Sequence, residues 1–330
     1  MRRLVLCLAV AAGALVAVPA ALADGGPMYV VQDGSGIANA AGTMHYVPVG
    51  IPKLGGGTLL EAIDPGGNVI WAVPFDRLWG LPEVGTVSPV AQGLSHDGRT
   101  LVLASAQGPN VSPSSFLVLR MPTARVRERI TLRGYFSYDA LSPDGSRLYL
   151  IQYVNGASGD LSHYLVRAYD LRTHRLLPEQ IADRSQWQSS STMDGTPITR
   201  VTSSSGRWVY TLYTNPSGKP FVHALDTVAA TAHCISLPWS SRSQNGLYNV
   251  VLSLRHGGRT LALSWRSGRP WLDVATGSWR VSPAGGDSPW PWIGSGLGGG
   301  LALLAAGALL LRRRRGEELE QHARQELGLA

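Results

Sequence analysis

Short apolar segments separated by polar, glycine-containing turns recur along most of this 330-residue chain. The clearest example runs from Leu141 to Leu150 and reads Leu-Ser-Pro-Asp-Gly-Ser-Arg-Leu-Tyr-Leu. Segments 94–103, 202–211 and 254–263 have the same pattern. Such a turn between two apolar runs is typical of a β-hairpin, because glycine accepts the positive φ that the turn requires. The pattern predicts hairpins with turn glycines at Gly98, Gly145, Gly206 and Gly258.

A second hairpin is predicted in each repeat, and an aspartate recurs where its first strand ends. Four of the five hairpins have this residue, at Asp64, Asp170, Asp226 and Asp273. An aspartate in this place can accept hydrogen bonds from the backbone amides of its own turn. We therefore interpret these four residues as structural rather than catalytic.

Two hairpins give four short strands in a unit of about 50 residues, and the chain contains about five units. This predicts an all-β fold, a β-propeller of about five four-stranded blades. Residues 24–32 match the start of a unit, so we assign them to the first one. That unit would lack its innermost strand, and no spare strand follows Val281. An open or irregular β-structure is therefore an alternative to a closed ring.

The unit resembles the YVTN and WD40-like propeller repeats, both in Ser142 to Leu150 and in a later Asp-x-x-Thr. The resemblance covers about residues 24 to 282. It implies a β-propeller of a bacterial, secreted and membrane-anchored protein, and it does not imply one particular activity. Some propellers of this kind are lactonases or other hydrolases.

Both ends of the chain predict a membrane-anchored protein. Residues 293–311 are uncharged and apolar or small, which is long enough for one transmembrane helix, and Arg312, Arg313, Arg314 and Arg315 follow. Trp290 and Trp292 precede this span, where indoles favour the membrane interface. Residues 1–23 read as a signal peptide removed near Ala23, with an uncleaved N-terminal anchor as the alternative. The predicted organisation is a signal peptide at 1–23, an extracytoplasmic propeller at 24–282, a linker at 283–292, a transmembrane helix at 293–311 and a cytoplasmic basic tail at 312–330.

The overall charge of +7 overstates how basic the propeller is, because seven arginines lie in the signal peptide and the tail. The part of the chain outside these two segments has 22 basic and 18 acidic residues. This small excess gives no reason to expect a nucleic-acid partner. Cys234 is the one cysteine left after cleavage, and its apolar neighbours favour a buried small side chain over a reactive thiol.

No catalytic, metal or cofactor site emerges from the sequence. Gly-x-Ser-x-Gly is absent, and the histidines have no zinc-binding spacing. Segments 33–57 and 184–197 exceed the repeat, and such loops often contain binding residues. Trp187, Trp239 and Trp265 are the candidate binding residues, for a sugar or a peptide, with packing in the core as the alternative explanation.

Two functional hypotheses follow. The first is a membrane-anchored extracytoplasmic propeller that acts as a binding or scaffold module for a protein or cell-envelope ligand. The alternative is a lactonase-like hydrolase with its site in the central channel. Three or more acidic or histidine side chains that meet in the channel would favour the hydrolase.

Overall fold

The structure, a computed structural model, describes residues 29–31, 36–51, 56–84, 90–105, 112–185, 192–215, 219–239, 245–266 and 268–284. The chain divides into two compact units, residues 1–285 and 286–330, and all of the described residues belong to the first. These residues form five antiparallel sheets and no α-helix. The predicted all-β fold with about five repeated units is confirmed.

Apart from β1, the strands of each sheet are consecutive, and the sheets follow one another along the chain. The first consists of β2 (Ile37–Ala38), β3 (His45–Ile51), β4 (Gly57–Ile63) and β5 (Val69–Phe75). The second consists of β1 (Tyr29–Val31), β6 (Trp79–Val84), β7 (Val90–Ala91), β8 (Thr100–Ser105), β9 (Ser114–Arg120) and β10 (Arg125–Leu132). The third consists of β11 (Tyr135–Leu141), β12 (Arg147–Tyr153), β13 (His163–Asp170), β14 (Arg175–Gln180) and β15 (Met193–Asp194).

The last two sheets have four strands each. The fourth consists of β16 (Pro197–Thr202), β17 (Trp208–Tyr213), β18 (Phe221–Asp226) and β19 (Thr231–Ser236). The fifth consists of β20 (Val250–Arg255), β21 (Thr260–Trp265), β22 (Pro270–Ala275) and β23 (Arg280–Pro283). Short 3-10 helices lie in connections at Gly156–Ser158 and Asn245–Asn249.

One pocket brings all five sheets together. Its lining includes Ile37 from the first sheet, Leu94 from the second, Leu141 from the third, Val201 from the fourth and Leu252 from the fifth. In the first, third, fourth and fifth sheets these residues lie on the first strand, which is therefore the innermost strand of its sheet. Consecutive four-stranded antiparallel sheets arranged around a common centre form a β-propeller.

The apolar pattern of the strands fits a sheet that is covered on both faces. In β8, Leu101 and Leu103 pack towards the first sheet, whereas Val102 packs towards the third. Successive side chains of a strand point to opposite faces, so burial of both faces requires a continuous apolar run. Such clusters join the first sheet to the second, the second to the third, the third to the fourth and the fourth to the fifth. Among the described residues, no hydrophobic cluster joins the fifth sheet to the first.

The assignment of residues 24–32 to the first sheet is wrong for the part that the structure describes. Tyr29–Val31 pairs with the second sheet, where Tyr29 lies opposite Glu83. The first two strands of the first sheet, β2 and β3, come instead from segment 33–57, which the sequence pattern predicts to exceed the repeat. Pro48 is tolerated in β3 because β2 pairs only with His45 and Tyr46, so that among the described residues no strand pairs with this edge of β3 at Pro48.

The two ends of the sheets differ. The turn end is the end that contains Gly98, Gly145, Gly206 and Gly258, and tight turns there join the first strand to the second and the third to the fourth. The loop end is the opposite end. Its connections join the second strand of a sheet to the third and one sheet to the next.

Candidate functional site

The predicted turn glycines form one recurring structure at the turn end. Their φ angles are 69° for Gly98, 61° for Gly145, 73° for Gly206 and 85° for Gly258. In each turn the glycine amide donates to the carbonyl three residues earlier, at distances of 2.8 to 3.0 Å. This left-handed backbone favours glycine. These residues therefore shape the turns.

Three of the four aspartates bond to their own turns. Asp64 Oδ1 accepts from the Asn68 amide at 2.8 Å, and Asp170 Oδ1 accepts from the Arg172 amide at 2.7 Å. Asp226 accepts from two turn amides, those of residues 228 and 229, and also from the Arg207 side chain. Burial alone would raise the pKa of Asp226, but these hydrogen bonds outweigh it, so the pKa lies below its usual value.

Asp273 does not occupy the predicted turn position. It lies within β22, where it pairs with Ala262 on one side and Ser282 on the other. The strand continues for two more residues because Val274 is fully buried in the cluster between the fourth and fifth sheets. Asp273 Oδ1 lies 3.9 Å from the Arg255 guanidinium and accepts no hydrogen bond from the described residues.

Two of the predicted binding tryptophans meet at the loop end, together with a third. Trp265 and Trp271 stack with ring centroids 5.5 Å apart and an interplanar angle of 17°. Trp239 makes edge contacts to Trp265 at 5.9 Å and to Trp271 at 5.7 Å. Trp265 is 40% exposed. We call Trp239, Trp265 and Trp271 the tryptophan cluster. Trp187 lies outside the described residues.

Different elements position the three indoles. Trp239 follows β19, Trp265 ends β21, and Trp271 is the extra residue of a bulge in β22. A bulge redirects the side chain of the residue that it inserts. Trp271 therefore has no register partner on β21, and its ring stacks on that of Trp265.

A groove next to the tryptophan cluster separates the outer strands of the fourth and fifth sheets. Its volume is about 430 Å³. Its lining consists of Lys219, Ser236, Leu237, Pro238, Leu272, Val281, Ser282 and Pro283. The groove and the cluster adjoin through neighbouring residues, since Pro238 precedes Trp239 and Leu272 follows Trp271.

The central pocket opens at the turn end and has a volume of about 420 Å³. Among the described residues, its lining is mainly apolar and includes one histidine, His96, but no carboxylate-bearing residue. Arg200 reaches it from β16 and is only 4% exposed. Its guanidinium donates to Asp139, to Thr211 Oγ1 at 2.7 Å and to Gln92 Oε1 at 3.4 Å.

The pocket and its surroundings do not match the arrangement that would favour the hydrolase hypothesis. Asp139 is 1% exposed and ion-paired to Arg200. Its Oδ2 atom has no hydrogen-bonding partner among the described residues, and neither does Nε2 of the buried His223. Within the same part of the chain, no three His, Cys, Asp or Glu side chains are grouped so that they could hold a metal.

Cys234 lies in the packing between the third and fourth sheets. It is half-buried, and its thiol is 4.0 Å from His223 Nδ1. Burial raises the pKa of the Cys234 thiol to about 12, and the nearby Asp183 carboxylate acts in the same direction. Burial also lowers the pKa of His223. The pair is therefore neutral at pH 7 rather than a thiolate and an imidazolium.

Comparison with known proteins gives no family and no close relative. No family model matches the chain, and no curated protein matches it. Among solved structures, the chain is similar to the β-propeller domain of Cps50 (Swd1) from Myceliophteria thermophila, with 12% identity, coverage of 80% of this chain and 73% of that one, and a TM-score of 0.43. It is also similar to TolB from Acinetobacter baumannii, with 12% identity, coverage of 78% of this chain and 56% of that one, and a TM-score of 0.40. Similarities at this level carry no argument about ligand, partner or activity.

The predicted membrane elements lie outside the described residues. These are the transmembrane span 293–311, its flanking residues Trp290, Trp292, Arg312, Arg313, Arg314 and Arg315, and the signal peptide 1–23. Within the described residues, no helix has the length and apolar character needed to cross a membrane.

The charged residues around both sites have no distinctive pattern in the sequence. Arg200 lies in β16 and Asp139 in β11, and nothing in the sequence indicates that they pair across two sheets. Lys219 and the arginines near Trp265 lie in connections between strands, where a charged residue is ordinary. One signal was available: the connections at the loop end of the last two sheets contain basic residues but no acidic ones.

Proposed function

We propose that this protein is a membrane-anchored extracytoplasmic binding module that holds a protein or a cell-envelope ligand at the loop end of its propeller. The exposed tryptophan cluster carries this proposal. Large aromatic side chains provide much of the binding energy at recognition sites, and an exposed apolar patch often marks such a site. Trp265 presents an indole to solvent, while Trp271 and Trp239 hold it in place.

The two chain ends support the anchored placement. The signal-peptide pattern at 1–23 would direct the propeller across the membrane, and the arginines at 312–315 would keep the tail in the cytoplasm. The ligand would then be outside the membrane, in the cell envelope.

Co-sedimentation tests this function, with the purified full chain kept in a non-ionic detergent and with envelope material from which the same detergent has removed the lipids, so that residues 293–311 cannot cause sedimentation by membrane insertion. We expect the wild-type chain to bind and Trp265→Ala to bind about tenfold more weakly, since loss of one aromatic anchor removes more than about 1.4 kcal/mol. His96→Ala, at the central pocket, is the matched control and should bind like wild type. Protease treatment of the envelope distinguishes a protein ligand from a polymer.

Equal binding by wild type and Trp265→Ala would refute a binding role for the tryptophan cluster. If His96→Ala weakens envelope binding more than Trp265→Ala does, the binding site is the central pocket instead. Turnover of a lactone or glycan that depends on the pocket would instead support the hydrolase.

A further inference from the structure

We propose that the ligand of the tryptophan cluster is an acidic polysaccharide. Its sugar rings would stack on Trp265, and its anionic groups would pair with Lys219, Arg266 and Arg269. This inference rests on the binding function proposed above and adds the chemical class of the ligand.

The geometry of Trp265 suits the flat face of a sugar ring. Trp271 covers one face of its indole at a centroid distance of 5.5 Å, and Trp239 contacts it edge-on. The 40% of Trp265 that is exposed therefore lies mainly on the opposite face and the outer edge. The C–H bonds on one side of a pyranose ring pack against such a surface. Because its neighbours already fix Trp265, binding does not have to order it.

The connections between strands around this surface contain basic residues but no acidic ones. Arg266 and Arg269 lie in the connection between β21 and β22, which Trp265 and Trp271 flank, and Lys219 lines the adjoining groove. All three residues are exposed, and none forms an ion pair within the described part of the chain. Segments 213–221, 236–250 and 264–272 contain no Asp or Glu. An anionic ligand would therefore meet attraction from these three residues.

The groove offers a place for the next sugar units. Its volume of about 430 Å³ is within the range of small-ligand sites, roughly 300–1,000 Å³. Ser236 and Ser282 supply hydroxyl groups, and Pro238 and Pro283 supply apolar walls. Hydroxyl groups beside apolar walls match the alternating polar and apolar edges of a sugar chain.

The same groove is poorly suited to a peptide that adds as a strand. Strand addition requires a row of free backbone N–H and C=O groups along a sheet edge. β23 is the outer strand of the fifth sheet, and at the groove it ends in Pro283, which has no N–H group. Pro238 on the other wall also lacks one. We therefore favour a polysaccharide over a peptide.

Isothermal titration of the full chain, purified in a non-ionic detergent, tests the inference with defined polymers. The acidic probes are polygalacturonate, hyaluronate and dextran sulfate. Dextran is the neutral counterpart of dextran sulfate, and methyl-esterified polygalacturonate is that of polygalacturonate and also serves for comparison with hyaluronate. Poly-glutamate supplies carboxylates without sugar rings. We expect at least one acidic polysaccharide to bind about tenfold more tightly than its neutral counterpart and than poly-glutamate. Its affinity should fall as the ionic strength rises from about 0.05 M to about 0.5 M.

Variants separate stacking from charge. Trp265→Ala should weaken binding of the acidic polysaccharide about tenfold. The double variant Arg266→Gln/Arg269→Gln should weaken it about fivefold, with little effect on the neutral counterpart. The matched control is Arg120→Gln/Arg125→Gln, which removes two exposed arginines at the turn end of the second sheet and should bind like wild type.

Several results would overturn the inference. One is no binding of any acidic polysaccharide, and another is equal weakening by the two arginine double variants, which would indicate charge attraction without a site. A third is equally tight, Trp265-dependent binding of poly-glutamate, which would identify an acidic peptide as the ligand.

If these probes fail while envelope binding still depends on Trp265, the ligand class is wrong but the proposed function stands. If envelope binding does not depend on Trp265, the proposed function fails as well.

Discussion

At the scale of single residues, glycines with the same backbone conformation differ in how closely other atoms surround them. A Cβ atom added at Gly98 would meet no heavy atom within 4 Å, whereas one added at Gly145 would lie 2.3 Å from Thr100 Oγ1. Both glycines have positive φ angles, 69° and 61°. Gly145 is therefore required for backbone conformation and also for the close approach of two neighbouring sheets.

The two glycines form a matched pair for measurement. Gly98→Ala should lower the free energy of unfolding by about 1 kcal/mol, the penalty for a non-glycine residue in the left-handed region. Gly145→Ala should lower it by about 2 kcal/mol more, because Thr100 and its strand must shift to avoid overlap. Chemical denaturation of the full chain measures both. Equal losses in the two variants would show that the contact with Thr100 is unimportant.

Residue patterns predicted the turns better than the site. The glycine turns and the Asp64, Asp170 and Asp226 turns depend on neighbours within a few residues, and the sequence shows those neighbours directly. The tryptophan cluster depends on contacts between Trp239 and residues 26 and 32 positions later, and on a bulge in β22. The sequence identified Trp239 and Trp265 as candidates but could not show that Trp271 joins them.

At the scale of elements, the strands with two covered faces were recognisable, and the first sheet was not. β8 and β12 are continuous apolar runs beside strong turns, so their assignment follows from pattern alone. β2 has two residues and β3 contains Pro48, and both lie in Gly-, Ala- and Pro-rich sequence. Their pairing is determined by contacts with the neighbouring strands rather than by their own residues, which is a tertiary effect.

Side chains also join one sheet to the next. Arg127 of β10 donates to the Gly145 carbonyl at 3.1 Å and to the Leu171 carbonyl at 3.0 Å. Both carbonyls belong to the turn end of the third sheet. This one guanidinium therefore connects two turns of the third sheet to the outer strand of the second.

Removal of this link should destabilise the propeller. We expect Arg127→Ala to lower the free energy of unfolding by about 2 kcal/mol, since it leaves two carbonyls without a charged donor. Arg125→Ala, on the same strand but exposed, should change it by less than about 0.5 kcal/mol. Thermal denaturation of the two variants side by side provides the comparison. Similar midpoints for both would show that the link between the sheets contributes no stability.

At the scale of the whole molecule, charge and hydropathy are distributed unevenly along the chain. The last 19 residues contain five arginines, whereas the 19 residues from 293 to 311 contain no charge. Segment 24–289 keeps a net charge of only +4. If segment 293–311 anchors the protein in the membrane, the propeller contains the binding surface. The basic tail at 312–330 then serves to orient the chain in the membrane.

This placement makes a prediction that does not depend on the ligand. When the full chain is produced in its own cells, it should remain with the membrane fraction after a high-salt wash, because about 19 apolar residues insert far more stably than surface charges bind. A chain that ends after residue 292 should be recovered in the soluble extracytoplasmic fraction and should begin at Asp24. As a control, Arg312→Gln/Arg313→Gln should keep the protein in the membrane, since the apolar segment is intact. A truncated chain that still sediments with the membrane would place the anchor elsewhere, and an intact N-terminus would favour the uncleaved anchor.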